Sequence, residues 1–139
     1  MGVSMVRKSH FAEAQLTTYV AAGPLTANDV SKTVVSCLTE NPSRLVIWDV
    51  REASFSNVTG DDLRKVVINA RPLAESRAGG KTAIVCSRGA DYGLARLFQT
   101  YAELYEAPID IKVFDSMDDA TAWLGLDQNL LARAKKENQ

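Results

Sequence analysis

The sequence predicts an α/β protein built on a mixed, largely parallel β-sheet of roughly four to five strands with about four helices. Three observations carry that expectation. Short apolar runs without a helical stripe, RLVIWDV at 44–50, KTAIVC at 81–86 and IDIKVF at 109–114, alternate with segments whose apolar residues recur at helical spacing. The links between them are short, which implies right-handed crossovers and neighbouring strands that run parallel. Hydrophobic residues make up 46% of the 139, enough for one well-buried core.

Gln15 to Ala22 is rich in Thr, Tyr and Val and stops at Gly23-Pro24, which reads as a strand entering a turn. His10 to Ala14 is a candidate partner strand before it. Thr26 then offers an N-cap, with Asp29 three residues on supporting the first turn in the manner of a capping box. Val30, Val34, Cys37 and Leu38 form the core-facing stripe of that helix, and Asn41-Pro42-Ser43 ends it. Arg44 to Val50 is uniformly apolar in its centre, as a strand covered on both faces would be.

A polar loop is expected over Arg51 to Val58, followed by a helix that starts at Thr59-Gly60-Asp61-Asp62 with acid in its first turn. Leu63, Val66, Val67 and Ala70 are its stripe, and Pro72 breaks or kinks it near Ala70. The next strand spans Lys81 to Cys86, and Leu94, Leu97, Phe98 and Tyr101 mark the helix after it. Ile109 to Phe114 alternates apolar and polar, as an edge strand does. Ser116 caps a short helix that turns Met117, Ala120 and Leu124 inward, and a tail helix is expected through Leu130, Leu131 and Ala134. Residues 1–14 read as an N-terminal extension with room for a first edge strand, 15–125 as the domain, and 126–139 as a partly helical tail.

Composition narrows the function classes. Sixteen basic against seventeen acidic residues leave a net charge of −1, without the basic surplus that nucleic-acid binding by counterion release calls for. No apolar run is long enough to span a membrane. His10 is the only histidine, so a histidine-rich metal site and a hydrolase triad are both disfavoured, and no metal or other cofactor is expected. Cys37 and Cys86 read as buried free thiols of a cytoplasmic protein.

Two segments raise the question of thiol chemistry. Asp49-Val50-Arg51-Glu52 and Cys86-Ser87-Arg88-Gly89 resemble two rhodanese landmarks, an Asp-x-Arg after one strand and a catalytic Cys at the end of the next. A sulfurtransferase or related enzyme would use Cys86 as a thiolate, with Arg51 or Arg88 as its cation. The spacing opposes this. The arginine of a phosphatase-type loop would fall at Tyr92 and that of a rhodanese loop at Asp91, and an acid there raises a thiol pKa. Gly89 to Gly93 lacks the pattern of a phosphate loop; Asp91 is expected to cap the helix, with Gly89 and Gly93 permitting a tight turn. A helix start flanked by Arg88 and Arg96 would nonetheless attract an anion. Asp110, Asp115, Asp118 and Asp119 lack metal-ligand spacing, and Trp48 and Trp123 read as core or lip aromatics.

Taken in order, GPLT at 23–26, LVIWDV at 45–50, GKTAIV at 80–85, YGLARLF at 92–98 and the run from VFD at 113–115 to DATAWL at 119–124 resemble the SpoIIAA-like family of the STAS superfamily. The resemblance spans most of residues 15–125, which it marks as a STAS-like domain, and implies a mixed sheet with helices on one side. It implies a non-catalytic binding or regulatory module for a protein partner or a small apolar or anionic ligand. Kinship of that family with the CRAL-TRIO lipid-binding fold adds a carrier of hydrophobic molecules, whose pocket would use Phe98, Tyr101 and Trp123. In the anti-anti-sigma branch an Asp-Ser-Ser-Gly motif at a helix start carries a phosphorylated serine. Here Asn57-Val58-Thr59-Gly60 occupies that place: Gly60 agrees and Thr59 keeps a hydroxyl, while Asn57 and Val58 depart. Thr59 is thus an N-cap first and a candidate phosphoacceptor second.

The expected site gathers Asn57, Thr59 and Gly60 with Arg88, Asp91 and Tyr92, all after the C-terminal ends of strands, where open α/β sheets bind ligands. Self-association as a homodimer, through an edge strand or the tail, is also compatible with the sequence.

Overall fold

The computed structural model describes residues 4–127, so the helix expected through Leu130, Leu131 and Ala134 lies outside the described residues. The strands are β1 (Met5–Phe11), β2 (Leu16–Pro24), β3 (Leu45–Ser54), β4 (Lys81–Val85) and β5 (Asp110–Phe114). The helices are α1 (Ala27–Thr39), α2 (Gly60–Ala70), α3 (Ala90–Leu104) and α4 (Met117–Leu124), and a 3-10 segment, Arg71–Arg77, continues α2. The chain forms a five-stranded sheet in the order β1-β2-β3-β4-β5, with β1 antiparallel to β2 and the other neighbours parallel. This is the mixed, largely parallel α/β sheet that the sequence predicts.

Each parallel strand lies beside the one before it in the chain. Crossovers of one hand that always step in the same direction place their helices on the same face. Accordingly Val34 and Leu38 of α1, Leu63 and Val66 of α2 and Phe98 of α3 share one core with Val50, Ile84 and Val113 of the sheet. The opposite face is covered by α4, whose Ala120 and Leu124 pack on Leu16, Leu45, Ile47, Ala83 and Val85. Helices therefore lie on both faces, not on one side alone. The apolar centre of β3 follows directly, since Val46 faces one layer and Leu45 and Ile47 the other.

Local chemistry sets the helix starts. Thr26 and Thr59 both form complete capping boxes, their hydroxyls accepting from the N–H of Asp29 and Asp62 and those carboxylates accepting from the threonine N–H. Ser116 Oγ accepts from the N–H of Asp119 at 3.3 Å. Pro72 stands in the first turn of the 3-10 segment and α2 stops at Ala70, as its fixed φ and missing N–H require.

Three boundaries differ from the sequence reading. The partner strand is Met5–Phe11, with residues 12–14 a 3-10 turn; its exposed MVRKSH run hides an edge strand behind a polar composition. Strand β3 runs on to Ser54 through residues expected to be a loop. A register shift against β2 near Arg51 places two exposed charged residues, Arg51 and Glu52, in succession and breaks the alternation. Cys86 lies one residue past β4, its N–H still donating to the Phe114 carbonyl at 2.9 Å.

The starts of β3 and β4 are joined to the 3-10 segment by a close backbone approach at Gly80. A Cβ there would stand 2.7 Å from the Arg44 carbonyl oxygen and 2.9 Å from that of Arg77. Gly93, inside α3, has open space where its Cβ would be. Gly80→Ala is therefore expected to destabilise the fold by about 2 kcal/mol through backbone displacement, whereas Gly93→Ala stabilises it by about 0.5–1 kcal/mol through helix propensity. Urea unfolding of the two variants checks this, and shifts of the same sign would contradict it.

Candidate functional site

The loops after β3, β4 and β5 meet at one end of the sheet. After Ser54, Phe55 folds back against the core, and the N–H of the buried Val58 donates to the Phe55 carbonyl at 2.9 Å. That turn leaves Ser56, Asn57 and Thr59 exposed in front of α2. Thr59 is the N-cap, its Oγ1 accepting from the Asp62 N–H at 3.0 Å. The hydroxyl that a kinase would modify is thus already an acceptor in the capping box. At Gly60 a Cβ would meet Leu97 Cδ2 at 2.8 Å, so α2 begins in close contact with α3 and a larger residue there would have to displace that leucine methyl.

After β4, Ser87, Arg88 and Gly89 are exposed, and Gly89 adopts φ 122°, a backbone region that favours glycine. Gly89 is the N-cap of α3 and supplies no side chain to it. Asp91 does not cap its own helix, contrary to the sequence reading. Its Oδ1 accepts from the N–H of Phe55 at 3.4 Å and so links α3 to the loop after β3. Gly93 sits within α3 and takes no part in a tight turn. Arg88 reaches the loop after β5, donating through Nε to Asp115 at 2.7 Å, and its guanidinium lies 4.8 Å from the centre of the Tyr92 ring. Asp115 is held below the usual carboxylate range by this bond, and the same bond raises Arg88.

These links bring all six expected residues, Asn57, Thr59, Gly60, Arg88, Asp91 and Tyr92, to the same end of the sheet. The geometry is a rim and not a crevice. Ligand crevices in open α/β sheets form where successive crossovers change direction and the loops splay apart. Strands β2 to β5 have no such reversal. A small anion is also poorly served, because Asp91 and Asp115 sit beside the α3 start and Arg88 is already paired.

Cys86 lacks the surroundings of a nucleophile. It is 1% exposed and packs in the core under α1 to α3. Burial, with Asp91 adding its negative charge, pushes its thiol up to about 11. Arg51 turns to Asp49 in a bidentate pair at 2.8 and 2.9 Å, and Arg88 turns to Asp115, so both cations proposed for the thiolate are engaged elsewhere. Cys37 is free and buried as well, and burial raises it too.

The aromatic trio expected for a carrier pocket is not assembled. Phe98 and Tyr101 pack in the core under α1 to α3, whereas Trp123 pairs with Phe114 on the α4 face, ring centres 5.6 Å apart. The partner of Phe98 is Trp48, also at 5.6 Å. Sequence reasoning also missed Arg77, which is 4% exposed. The one signal for it was spacing: Ala74 and Arg77 are three residues apart, and in a 3-10 segment that places them on the same side.

Among the described residues no group of His, Cys, Asp or Glu could hold a metal ion, and no helix is long and apolar enough to cross a membrane. The sequence matches no protein-family model. A search of curated proteins likewise gives no match.

Two outcomes follow from this geometry. Thr59→Ala removes the acceptor for the Asp62 N–H and is expected to cost about 1 kcal/mol in urea unfolding. Alkylation of Cys86 in the folded protein is expected to rise with an inflection near 11. An unfolded thiol ionises near 9, so the folded state loses stability relative to the unfolded one as pH climbs from about 9 to about 11. Replacing Cys86 with Ala should reduce that alkaline loss, leaving the share of the buried Cys37, and an alkylation inflection below pH 8 would contradict the assignment.

Proposed function

We propose that this chain is a non-catalytic binding module whose rim at the C-terminal end of the sheet docks a protein partner. The observation that carries the reading is the cross-linked rim itself. Asp91 joins the loop after β3 to α3, and Arg88 joins the loop after β4 to the loop after β5. Loops tied in this way present a fixed surface, so little conformational freedom is lost when a partner docks. The chemistry suits a protein: Arg88, 73% exposed in its side chain, lies against Tyr92, and Asn57 and Thr59 offer uncharged polar groups nearby. Arginine and tyrosine are the residue types that anchor interfaces.

The resemblance to SpoIIAA-like members of the STAS superfamily supports the same reading, since it implies binding or regulation without catalysis. On that reading phosphorylation of Thr59 would act on the rim directly. The added charge would displace the hydroxyl from the Asp62 N–H while facing Asp61 and Asp62 in the first turn of α2. The buried, high-pKa Cys86 speaks against the sulfurtransferase alternative.

The test places a photo-crosslinking residue at Tyr92, and separately at the exposed Lys65 on α2, in the protein's own host. One discrete adduct is expected from position 92 and none from position 65. Arg88→Ala, built beside the Tyr92 crosslinker, should lower the yield about tenfold. Equal labelling from both positions, or none from position 92, would overturn the docking surface.

A further inference from the structure

A second site lies away from the rim, in the interior between the sheet, α1, α2, the 3-10 segment and α3. A partly open cavity of about 50 Å³ there is lined mainly by apolar side chains, among them Val67, Phe98 and Ile109. Its charged wall residues are Arg71 and Arg77, and no carboxylate lines it.

Arg77 is a buried cation held by neutral acceptors. Its Nε donates to the Ser43 carbonyl at 2.7 Å, one terminal nitrogen to Thr82 Oγ1 at 2.7 Å, and the other to the Lys81 carbonyl at 2.9 Å. Among the described residues no carboxylate pairs with it. Its weaker contacts are the Arg44 carbonyl at 3.4 Å and, in the cavity wall, the Cys37 sulfur at 3.8 Å, a poor acceptor. Beside that thiol stands the Trp48 indole, whose buried Nε1–H faces the same sulfur and finds no oxygen or nitrogen acceptor. A buried donor given only a weak sulfur acceptor and a buried charge without a carboxylate beside it both cost free energy, and both stand at the same thiol. At the outer part of the wall Arg71 donates through Nε to the Tyr105 carbonyl at 3.1 Å, with a long, exposed contact to Glu75 at 3.4 Å.

We propose that this cavity binds a carboxylate carried on a short aliphatic chain. One carboxylate oxygen accepts the Trp48 indole N–H, the Arg77 charge neutralises the group, and the chain lies along Phe98 and Ile109. A cavity of 50 Å³ admits only a few heavy atoms, which limits the chain to about three or four carbons. The site shares no residue with the rim, so either proposal stands if the other falls.

The probe is butyrate, with butyramide as its uncharged counterpart, titrated into ¹⁵N-labelled protein and followed through the two indole N–H signals. Trp123 lies on the opposite face of the sheet and serves as the internal control. Butyrate should move the Trp48 signal downfield and saturate it while Trp123 stays still, and butyramide should bind at least about tenfold more weakly. Arg71→Met, at a half-buried position in the cavity wall, should weaken butyrate about threefold or more without unfolding the protein. Arg77→Lys tests the buried charge, with the Trp123 signal reporting whether the fold is kept. An immobile Trp48 signal at tens of millimolar butyrate, or equal binding of butyramide, would overturn the proposal.

Discussion

Strands β2 to β5 are laid down one beside the next without a change of direction, and the placement of everything else depends on that constraint. Three successive crossovers step the same way, so α1, α2 and α3 stack on one face and, among the described residues, α4 covers the other. The constraint also decides what the C-terminal ends of the strands become. With no reversal, the loops lie side by side, and Asp91 and Arg88 are near enough to tie them together. A fold of this winding presents an edge surface where a doubly wound sheet presents a cleft.

At the other end of the strands the order is kept by Arg77. Its guanidinium links the carbonyls of Ser43 and Lys81 and the Thr82 hydroxyl, which belong to the approach to β3 and to β4 itself. Gly80 lets the backbones of these segments close to contact distance around it. Taking a guanidinium out of water costs several kcal/mol, offset here by oxygen acceptors, with no carboxylate beside it among the described residues. The result is a molecule with contrasting ends. The rim end pairs its charges at the surface, while the opposite end buries one charge beside an apolar cavity.

Much of this was legible in the sequence, because the signals were local. Thr26 and Thr59 with acids three residues on specify capping boxes, and Val34-Cys37-Leu38 and Leu63-Val66-Val67-Ala70 specify the faces that are buried. The six rim residues could be grouped because loops after parallel strands share one end. What escaped was non-local. An edge strand rich in Arg, Lys and Ser looks like an extension until its partner is known, and a bulged strand carrying Arg51 and Glu52 looks like a loop. The stripe of α4 shows that the helix is amphipathic but not which face of the sheet it covers, so Trp123 was assigned to the wrong layer. Arg77 is a charged residue in a polar run, and its burial depends on carbonyls supplied by distant segments.

Cys86 separates a binding module from a thiol enzyme most sharply, because a covalent sulfur carrier and a docking surface leave different traces on the same chain. Mass spectra of the protein purified from its own host, taken first under native and then under denaturing conditions, read both at once. A binding module shows a noncovalent partner mass that disappears on denaturation while the chain itself keeps an unmodified Cys86. An extra sulfur that survives denaturation and maps to Cys86 would contradict the account.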